Sequence, residues 1–212
     1  QREGMLSVTT IIDQGAPTPQ KLRNYWKRNS ERKIEKTLTE AGNVGTKMHE
    51  VVENILTMDN FDIPEEFQSR AQEFQEYTES VALSPEKIKK TLISKRYGYA
   101  GTTDLIGIIE GKMAVIDWKH TNFYAREKFA MQLAAYRMAA IEMGLVEDNC
   151  GMVCVIIPKD PTRKIKHYTY QHFDSCETAF LRALDSMKFA HYYQLDAIDW
   201  KWLNEPALRR VS

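Results

Sequence analysis

The spacing of apolar residues changes near residue 85, and this change restricts the fold more than any other feature of the sequence. Before that point apolar side chains recur every three to four residues, which predicts a helix over residues 44–56. Another helix is predicted to start near Asp62 or Pro64, where Asp62 and Glu65 resemble a capping box. Thr18 followed by Pro19 is typical of a further helix start. We therefore expect this part of the chain to be mainly helical.

After that point, segments rich in β-branched residues alternate with apolar helical segments. We predict strands at residues 91–97, 102–110, 113–120, 153–157 and 164–170, and helices at residues 127–143 and 175–193. Helices before, between and after the strands imply an α/β fold, in which helices flank a central mixed β-sheet and a helical N-terminal part precedes it. We expect one domain over residues 1–212, with a helical part at 1–85, the sheet core at 86–196 and a tail at 197–212.

Charge is balanced over the whole chain but segregated along it. The 29 basic and 29 acidic residues give a net charge of zero, which would ordinarily argue against nucleic acid as a partner. Between Lys21 and Lys47, however, eight basic residues oppose three acidic ones, whereas between Asp59 and Glu79 seven acidic residues oppose one arginine. The basic segment fits a local channel for nucleic acid, and two solvated helix faces of opposite charge are the alternative.

Composition excludes several other classes of protein. A chain with 43% hydrophobic and 27% charged residues is typical of a globular protein, and its longest apolar runs, such as residues 153–157, are too short to span a membrane. Three cysteines without CxxC spacing indicate reduced thiols in an intracellular protein rather than disulfides. The first ten residues lack the pattern of a signal peptide, and a start at Gln1 indicates upstream trimming, so a removed targeting segment remains open.

The residues with the clearest chemical meaning are Asp104 and, thirteen positions later, the sequence Asp117-Trp118-Lys119. On a strand Asp117 and Lys119 share one face while Trp118 points to the other, and a hairpin folds Asp104 back beside them. Carboxylates among Leu, Ile, Val and Ala residues are costly unless they are paired or bind a metal. Oxygen ligands of this kind suit Mg²⁺ or Mn²⁺. The alternative is an ordinary buried ion pair between Lys119 and one aspartate.

Two helices carry further candidates. His49 lies off the apolar stripe of its helix and is expected to point away from the pure core, and Gly45 before it would let a backbone or a phosphate approach. Gln132 and Tyr136 lie one turn apart on an otherwise apolar helix, where a glutamine needs partners. The alternatives are a hydrogen-bonded core histidine and a polar pair on a helix surface.

Taken in order, these motifs resemble a known family. Gly-x-x-x-His at residues 45–49, Gly-x-x-Asp at 101–104, Ile-Asp-Trp-Lys at 116–119 and Gln-x-x-x-Tyr at 132–136 are similar to the RecB-like branch of the PD-(D/E)xK nucleases. Within it they most resemble the mitochondrial genome maintenance exonuclease family, of which phage and bacterial exonucleases are relatives. Ser7-Val8-Thr9-Thr10-Ile11, with Trp26 after it, extends the likeness. The resemblance implies a restriction-endonuclease-like core.

The resemblance also implies a role for each site residue. His49, Asp104, Asp117 and the backbone carbonyl of Trp118 would bind Mg²⁺ or Mn²⁺, and the imidazole should make Mn²⁺ a good replacement for Mg²⁺. Lys119 would orient the attacking water and balance charge on the scissile phosphate. The catalytic residues would thus be His49, Asp104, Asp117 and Lys119. Gln132 and Tyr136 would position DNA.

The family's usual activity is exonucleolytic digestion of single-stranded DNA or flaps from a free end, in DNA replication, repair or recombination. Two alternatives are a double-strand exonuclease for recombination, of the lambda type, and a non-catalytic nucleic-acid-binding module. Tyr25 and Trp26 in the basic segment could stack on a single strand, but their spacing favours packing in the core. We expect a monomer with no membrane partner, located in a bacterial or phage-infected cytoplasm or in a mitochondrion.

Overall fold

The computed structural model describes residues 5–16, 20–59 and 61–193. The predicted helix start at residues 18–19 and the predicted tail at 197–212 lie outside these residues. The helices are α1 (Val8–Gly15), α2 (Gln20–Arg28), α3 (Glu31–Thr57), α4 (Glu65–Ser80), α5 (Arg126–Glu142) and α6 (Phe173–Tyr193). The strands are β1 (Leu6–Ser7), β2 (Ser84–Ser94), β3 (Tyr99–Ile109), β4 (Lys112–His120), β5 (Gly151–Ile157) and β6 (Lys166–Tyr170).

The strands form one mixed sheet of six strands, in the order β1-β3-β4-β5-β6, with β2 also paired to β3. Strands β2, β3 and β4 form an antiparallel meander. β5 runs parallel to β4 because α5 connects the two strands, and β6 returns antiparallel at the edge. The expected α/β fold, with helices flanking a central mixed sheet, is therefore confirmed.

Two hydrophobic cores cover the two faces of this sheet. Helices α1, α5 and α6 pack on one face, where their apolar side chains meet residues such as Ile106 and Val115. Helices α3 and α4 pack on the other face, around residues such as Ile116 and Trp118. The alternation of side chains along β4 thus sends Val115 and Asp117 towards α5, and Ile116 and Trp118 towards α3 and α4. Among the described residues no helix is apolar for long enough to cross a bilayer.

Several predicted boundaries are wrong. The strand predicted at residues 91–97 is Ser84–Ser94, and the helix predicted at 44–56 begins thirteen residues earlier, at Glu31. The helix predicted to start near Asp62 or Pro64 starts after Pro64, but it has no side-chain cap, so the capping box of Asp62 and Glu65 does not form. β1 and α1 are additional elements that apolar spacing does not reveal. Trp26 is 40% exposed and does not pack in a core, so the packing expected for it is also wrong.

Candidate active site

The site lies where one edge of β3 changes partner. β2 pairs along β3 on one side, so β1 and β4 must share the opposite edge. β1 pairs with Tyr99 and Ala100, whereas the ladder to β4 begins at Leu105. The segment of β3 between these contacts, which ends at Asp104, therefore borders a fork between β1 and β4. Such a fork leaves room for side chains and a ligand inside an otherwise closed sheet.

Asp104 is the most heavily bonded carboxylate of this fork. Its Oδ2 accepts a hydrogen bond from the backbone nitrogen of Trp118 at 3.1 Å, which ties β3 to β4 beyond the last ladder pair. Its Oδ1 lies 3.2 Å from Nδ1 of His49 and 3.1 Å from Nζ of Lys89. Burial would raise the pKa of Asp104. The hydrogen bond and charge of His49, together with the charges of Lys119 and Lys89, outweigh burial and lower this pKa to about 2. This carboxylate is ionised at neutral pH.

Asp117 and Lys119 form a second pair at the same end of β4. Nζ of Lys119 lies 2.6 Å from Oδ2 of Asp117, and both side chains are on the α5 face of the sheet. Burial raises the pKa of Asp117 to about 6, even though Lys119 favours its ionised form. Burial also disfavours the ammonium group, but the carboxylates of Asp117 and Asp104 outweigh this effect and raise the pKa of Lys119. Lys119 is therefore a cation at neutral pH.

His49 reaches Asp104 from the opposite face of the sheet. It lies on α3, and its ring makes an edge contact with the buried indole of Trp118 at 6.2 Å between centroids. Its position off the core stripe agrees with the sequence pattern. A side chain at Gly45 would meet no described atom within 4 Å, so no described backbone approaches this position, and the approach of a phosphate stays a prediction. With Nδ1 protonated, His49 donates to Asp104 and keeps the lone pair of Nε2 for a cation.

Gln132 and Tyr136 form a third pair, on α5. Nε2 of Gln132 donates to the hydroxyl oxygen of Tyr136 at 3.0 Å, and the tyrosine ring is almost fully buried. Burial, together with the charge of Asp117, raises the pKa of Tyr136 to about 12. Gly101 is required here, because a Cβ atom at this position would lie 2.6 Å from Cε1 of Tyr136.

A cavity of about 310 Å³ opens into the fork beside these residues. Tyr136 is the one predicted site residue among the described residues that line it, which are Met5, Leu6, Ser7, Thr9, Ala100, Gly101, Thr102 and Tyr136. Ser7 and Thr9, which belong to the N-terminal segment that extends the sequence resemblance, thus lie at the fork beside Tyr136. The structure brings the predicted site residues into three bonded pairs, which are Asp104 with His49, Asp117 with Lys119, and Gln132 with Tyr136. The first two pairs are electrostatically linked, because Lys119 lowers the pKa of Asp104 while Asp104 raises that of Asp117.

The donor set at the fork fits a divalent cation. Two carboxylates and an imidazole supply oxygen and nitrogen ligands of the kind that Mg²⁺ and Mn²⁺ accept. Within the described residues no three His, Cys, Asp or Glu side chains are already gathered as a metal cage. Lys119 holds Asp117 and Lys89 holds Asp104, so these ammonium groups neutralise the carboxylates that a cation would bind.

Lys89 is a site residue that sequence reasoning missed. It lies on β2, where the ladder pairs on either side of it, Ile88–Leu105 and Lys90–Thr103, place it beside Asp104. Its backbone has a φ of 49°, in the left-handed region that non-glycine residues seldom adopt. The sequence offers no signal for this position, because Lys87, Lys89 and Lys90 look alike until the register of β2 is known.

Comparison with models of protein families gives no match, and comparison with curated proteins gives none either. Among solved structures, a protein named SSO0001 is similar at a TM-score of 0.42 and 15% identity, over 95% of this chain and 82% of that one. An alkaline exonuclease from Laribacter hongkongensis, LHK-Exo, is similar at a TM-score of 0.37 and 12% identity, over 91% of this chain and 94% of that one. The structure of LHK-Exo in complex with dAMP is similar at a TM-score of 0.35 and 14% identity, over 92% of this chain and 96% of that one. Likeness at this level does not assign an activity.

Proposed function

We propose that this protein is a metal-dependent DNA exonuclease of the PD-(D/E)xK type, which hydrolyses phosphodiester bonds from free ends of single-stranded DNA or flaps. The observation that carries the proposal is the meeting of Asp104, Asp117, Lys119 and His49 at the fork of the sheet. These four residues come from three elements on both faces of the sheet. A purely structural ion pair between Lys119 and one aspartate would need neither His49 nor a second buried carboxylate.

His49, Asp104, Asp117 and the backbone carbonyl of Trp118 would hold the metal. A bound Mg²⁺ or Mn²⁺ supplies charge neutralisation at the scissile phosphate and lowers the pKa of a coordinated water. The ionised state of Asp104 at neutral pH favours this role, and so does the hydrogen bond that fixes the His49 ring.

Lys119 would act as a cation and not as a general base. Its raised pKa keeps the ammonium protonated at neutral pH, so it can orient a water molecule and oppose the negative charge that develops on the phosphate. Gln132 and Tyr136 would position the DNA strand. Tyr136 is suited to this because its ring borders the cavity at the fork and is fixed by Gln132.

The preference for single strands and free ends comes from the resemblance of the motifs, and the burial of the site supports it. Asp104 and Asp117 are 5% and 3% exposed. A flexible single strand can bring a phosphate to such buried carboxylates more easily than a rigid duplex can. A role in DNA replication, repair or recombination is the corresponding cellular proposal.

The experiment compares linear and circular single-stranded DNA of equal length. With Mn²⁺ or Mg²⁺ we expect the linear strand to be degraded from an end while the circle remains intact, and EDTA should stop the reaction. Strands labelled at the 5′ or the 3′ end then give the polarity. Rapid cleavage of the circle would replace the exonuclease with an endonuclease, and blunt duplex cut faster than single strands would favour the lambda-type alternative. Absence of turnover in either metal would overturn the proposal.

A further inference from the structure

The edge strand β6 carries two side chains onto the same face as the candidate active site. Lys119 pairs in register with Ile156 of β5, and Ile156 pairs with Lys166 of β6. Asp117 and Tyr168 are joined in the same way through Cys154. Side chains in register point to one face, so Tyr168 and Lys166 share the face of Asp117 and Lys119, two strand spacings or roughly 10 Å away.

A series of aromatic rings connects the two places. Nζ of Lys119 lies 5.6 Å from the centre of the Phe129 ring, and this ring lies 5.9 Å from the ring of Tyr124. The ring of Tyr124 in turn stacks on Tyr168 at 4.1 Å with an angle of 14° between the planes. Phe129 and Tyr124 are half-buried, whereas Tyr168 is 38% exposed. The series therefore ends in a fixed aromatic side chain that solvent can reach.

Basic side chains surround the exposed end of this series. A cavity of about 300 Å³ is lined by Tyr168 together with Arg163, Lys164 and Lys166. Asp160, an acidic residue of the same loop, accepts hydrogen bonds from Thr162. Lys164 is the one lysine here with an acidic neighbour in the described chain, Glu73 at 4.0 Å, and its side chain is 82% exposed. The cavity thus combines an aromatic wall with an excess of positive charge.

We propose that this cavity, the Tyr168 subsite, binds a nucleotide of single-stranded DNA next to the scissile phosphate, with its base on Tyr168 and its phosphate on Lys166 and Arg163. The inference rests on the proposed nuclease function and adds a place for the strand outside the reacting bond. Stacking on a fixed ring next to cationic side chains is the general way in which proteins bind single strands without reading sequence. A base pair inside a duplex has both faces covered by its neighbours and cannot stack on Tyr168.

Binding is measured first, in EDTA, so that no turnover is needed. Anisotropy of a fluorescein-labelled fifteen-nucleotide thymidine strand should show about tenfold weaker binding for Tyr168→Ala. Tyr168→Phe keeps the ring and should bind within twofold of the wild type. Lys166→Ala should lower the slope of log K against log salt by about 0.7, the effect of one lost phosphate contact. Lys112→Ala, an exposed lysine at the far end of β4, is the matched control and should behave as the wild type.

An abasic strand of the same length separates stacking from charge. Wild type and Tyr168→Ala should bind it equally, because it has no base to stack. The subsite is overturned if Tyr168→Ala binds the thymidine strand as tightly as the wild type. It is also overturned if Tyr168→Ala loses as much affinity for blunt duplex or for the abasic strand as it loses for the thymidine strand.

Turnover distinguishes a failure of the subsite from a failure of the proposed function. In Mn²⁺, Tyr168→Ala should raise KM for the thymidine strand at nearly unchanged kcat. If the wild type degrades DNA and the variant has the same KM, the subsite alone is wrong. If the wild type degrades nothing, the nuclease proposal fails, and the binding measurement still decides whether a strand occupies the cavity.

Discussion

Nζ of Lys89 lies 3.1 Å from Oδ1 of Asp104, the same oxygen that Nδ1 of His49 approaches at 3.2 Å. A lysine of β2 and a histidine of α3 thus converge on one carboxylate oxygen. The lysine side chain is one third exposed, so it can leave the carboxylate for solvent. A metal bound to Asp104 would compete with this ammonium group, and we therefore expect Lys89 to lower the affinity for the metal.

Replacing Lys89 with methionine should tighten Mn²⁺ binding. The substitution removes a positive charge beside Asp104 while keeping an unbranched side chain, and we expect a Kd about tenfold lower, equivalent to about 1.4 kcal/mol. Titration calorimetry with the DNA-free protein measures this directly. Lys90→Met, at the next position of β2, is the matched control and should leave Kd unchanged. Equal Kd values for the two variants would show that Lys89 does not compete with the metal.

Metal affinity should depend on pH through Asp117. Its pKa is raised to about 6 in the metal-free protein, so the carboxyl group is increasingly protonated below that pH and must lose its proton to bind a cation. Asp104, with a pKa of about 2, stays ionised over the same range. We expect the Mn²⁺ association constant to level off above about pH 7 and to fall by up to about tenfold per pH unit below 6. Asp117→Asn should bind more weakly and with a flatter profile between pH 5 and 7, and a profile as steep as that of the wild type would contradict the assignment.

Gly101→Ala should destabilise the protein, because its Cβ would lie 2.6 Å from the Tyr136 ring and 3.0 Å from Cγ2 of Val8. Both neighbours are buried, so neither can move freely, and we expect a loss of about 1–3 kcal/mol in the free energy of unfolding. Urea denaturation measures this loss. Gly45→Ala, inside α3 with no described atom within 4 Å of the new Cβ, should instead gain about 0.5–1 kcal/mol. A change of the same sign in the free energy of unfolding for both substitutions would argue against this packing of Tyr136.

The sheet core and the pairing of Asp104 with the Asp117–Lys119 strand are predictable because they depend on local patterns. Alternation along β4 separates Trp118 from its charged neighbours, and the short turn at Gly111 fixes the hairpin. The early start of α3 is not predictable from apolar spacing. Leu38 and Val44 of its first half are exposed, and this part of the helix has no continuous apolar stripe.

The position of Lys89 and the Tyr168 subsite depend on registers between distant strands. No local pattern specifies that β2 places Lys89, and not Lys87 or Lys90, beside Asp104. In the same way, Tyr168 shares the face of Asp117 and Lys119 only because β6 pairs with β5 in one register. Sequence patterns therefore indicate Asp104, Asp117 and Lys119, which have characteristic chemistry and spacing. They do not indicate Lys89 and Tyr168, which only the pairing of distant strands places near them.

The most direct test of the account is the turnover of end-labelled single-stranded DNA by Lys119→Ala in saturating Mn²⁺. If Lys119 balances charge at the reacting phosphate, kcat should fall by at least about a hundredfold. Lys112→Ala, on the same strand, should keep the wild-type rate, and circular dichroism should show that both variants remain folded. A Lys119→Ala variant that stays folded and degrades the strand within twofold of the wild-type rate would contradict the proposed active site.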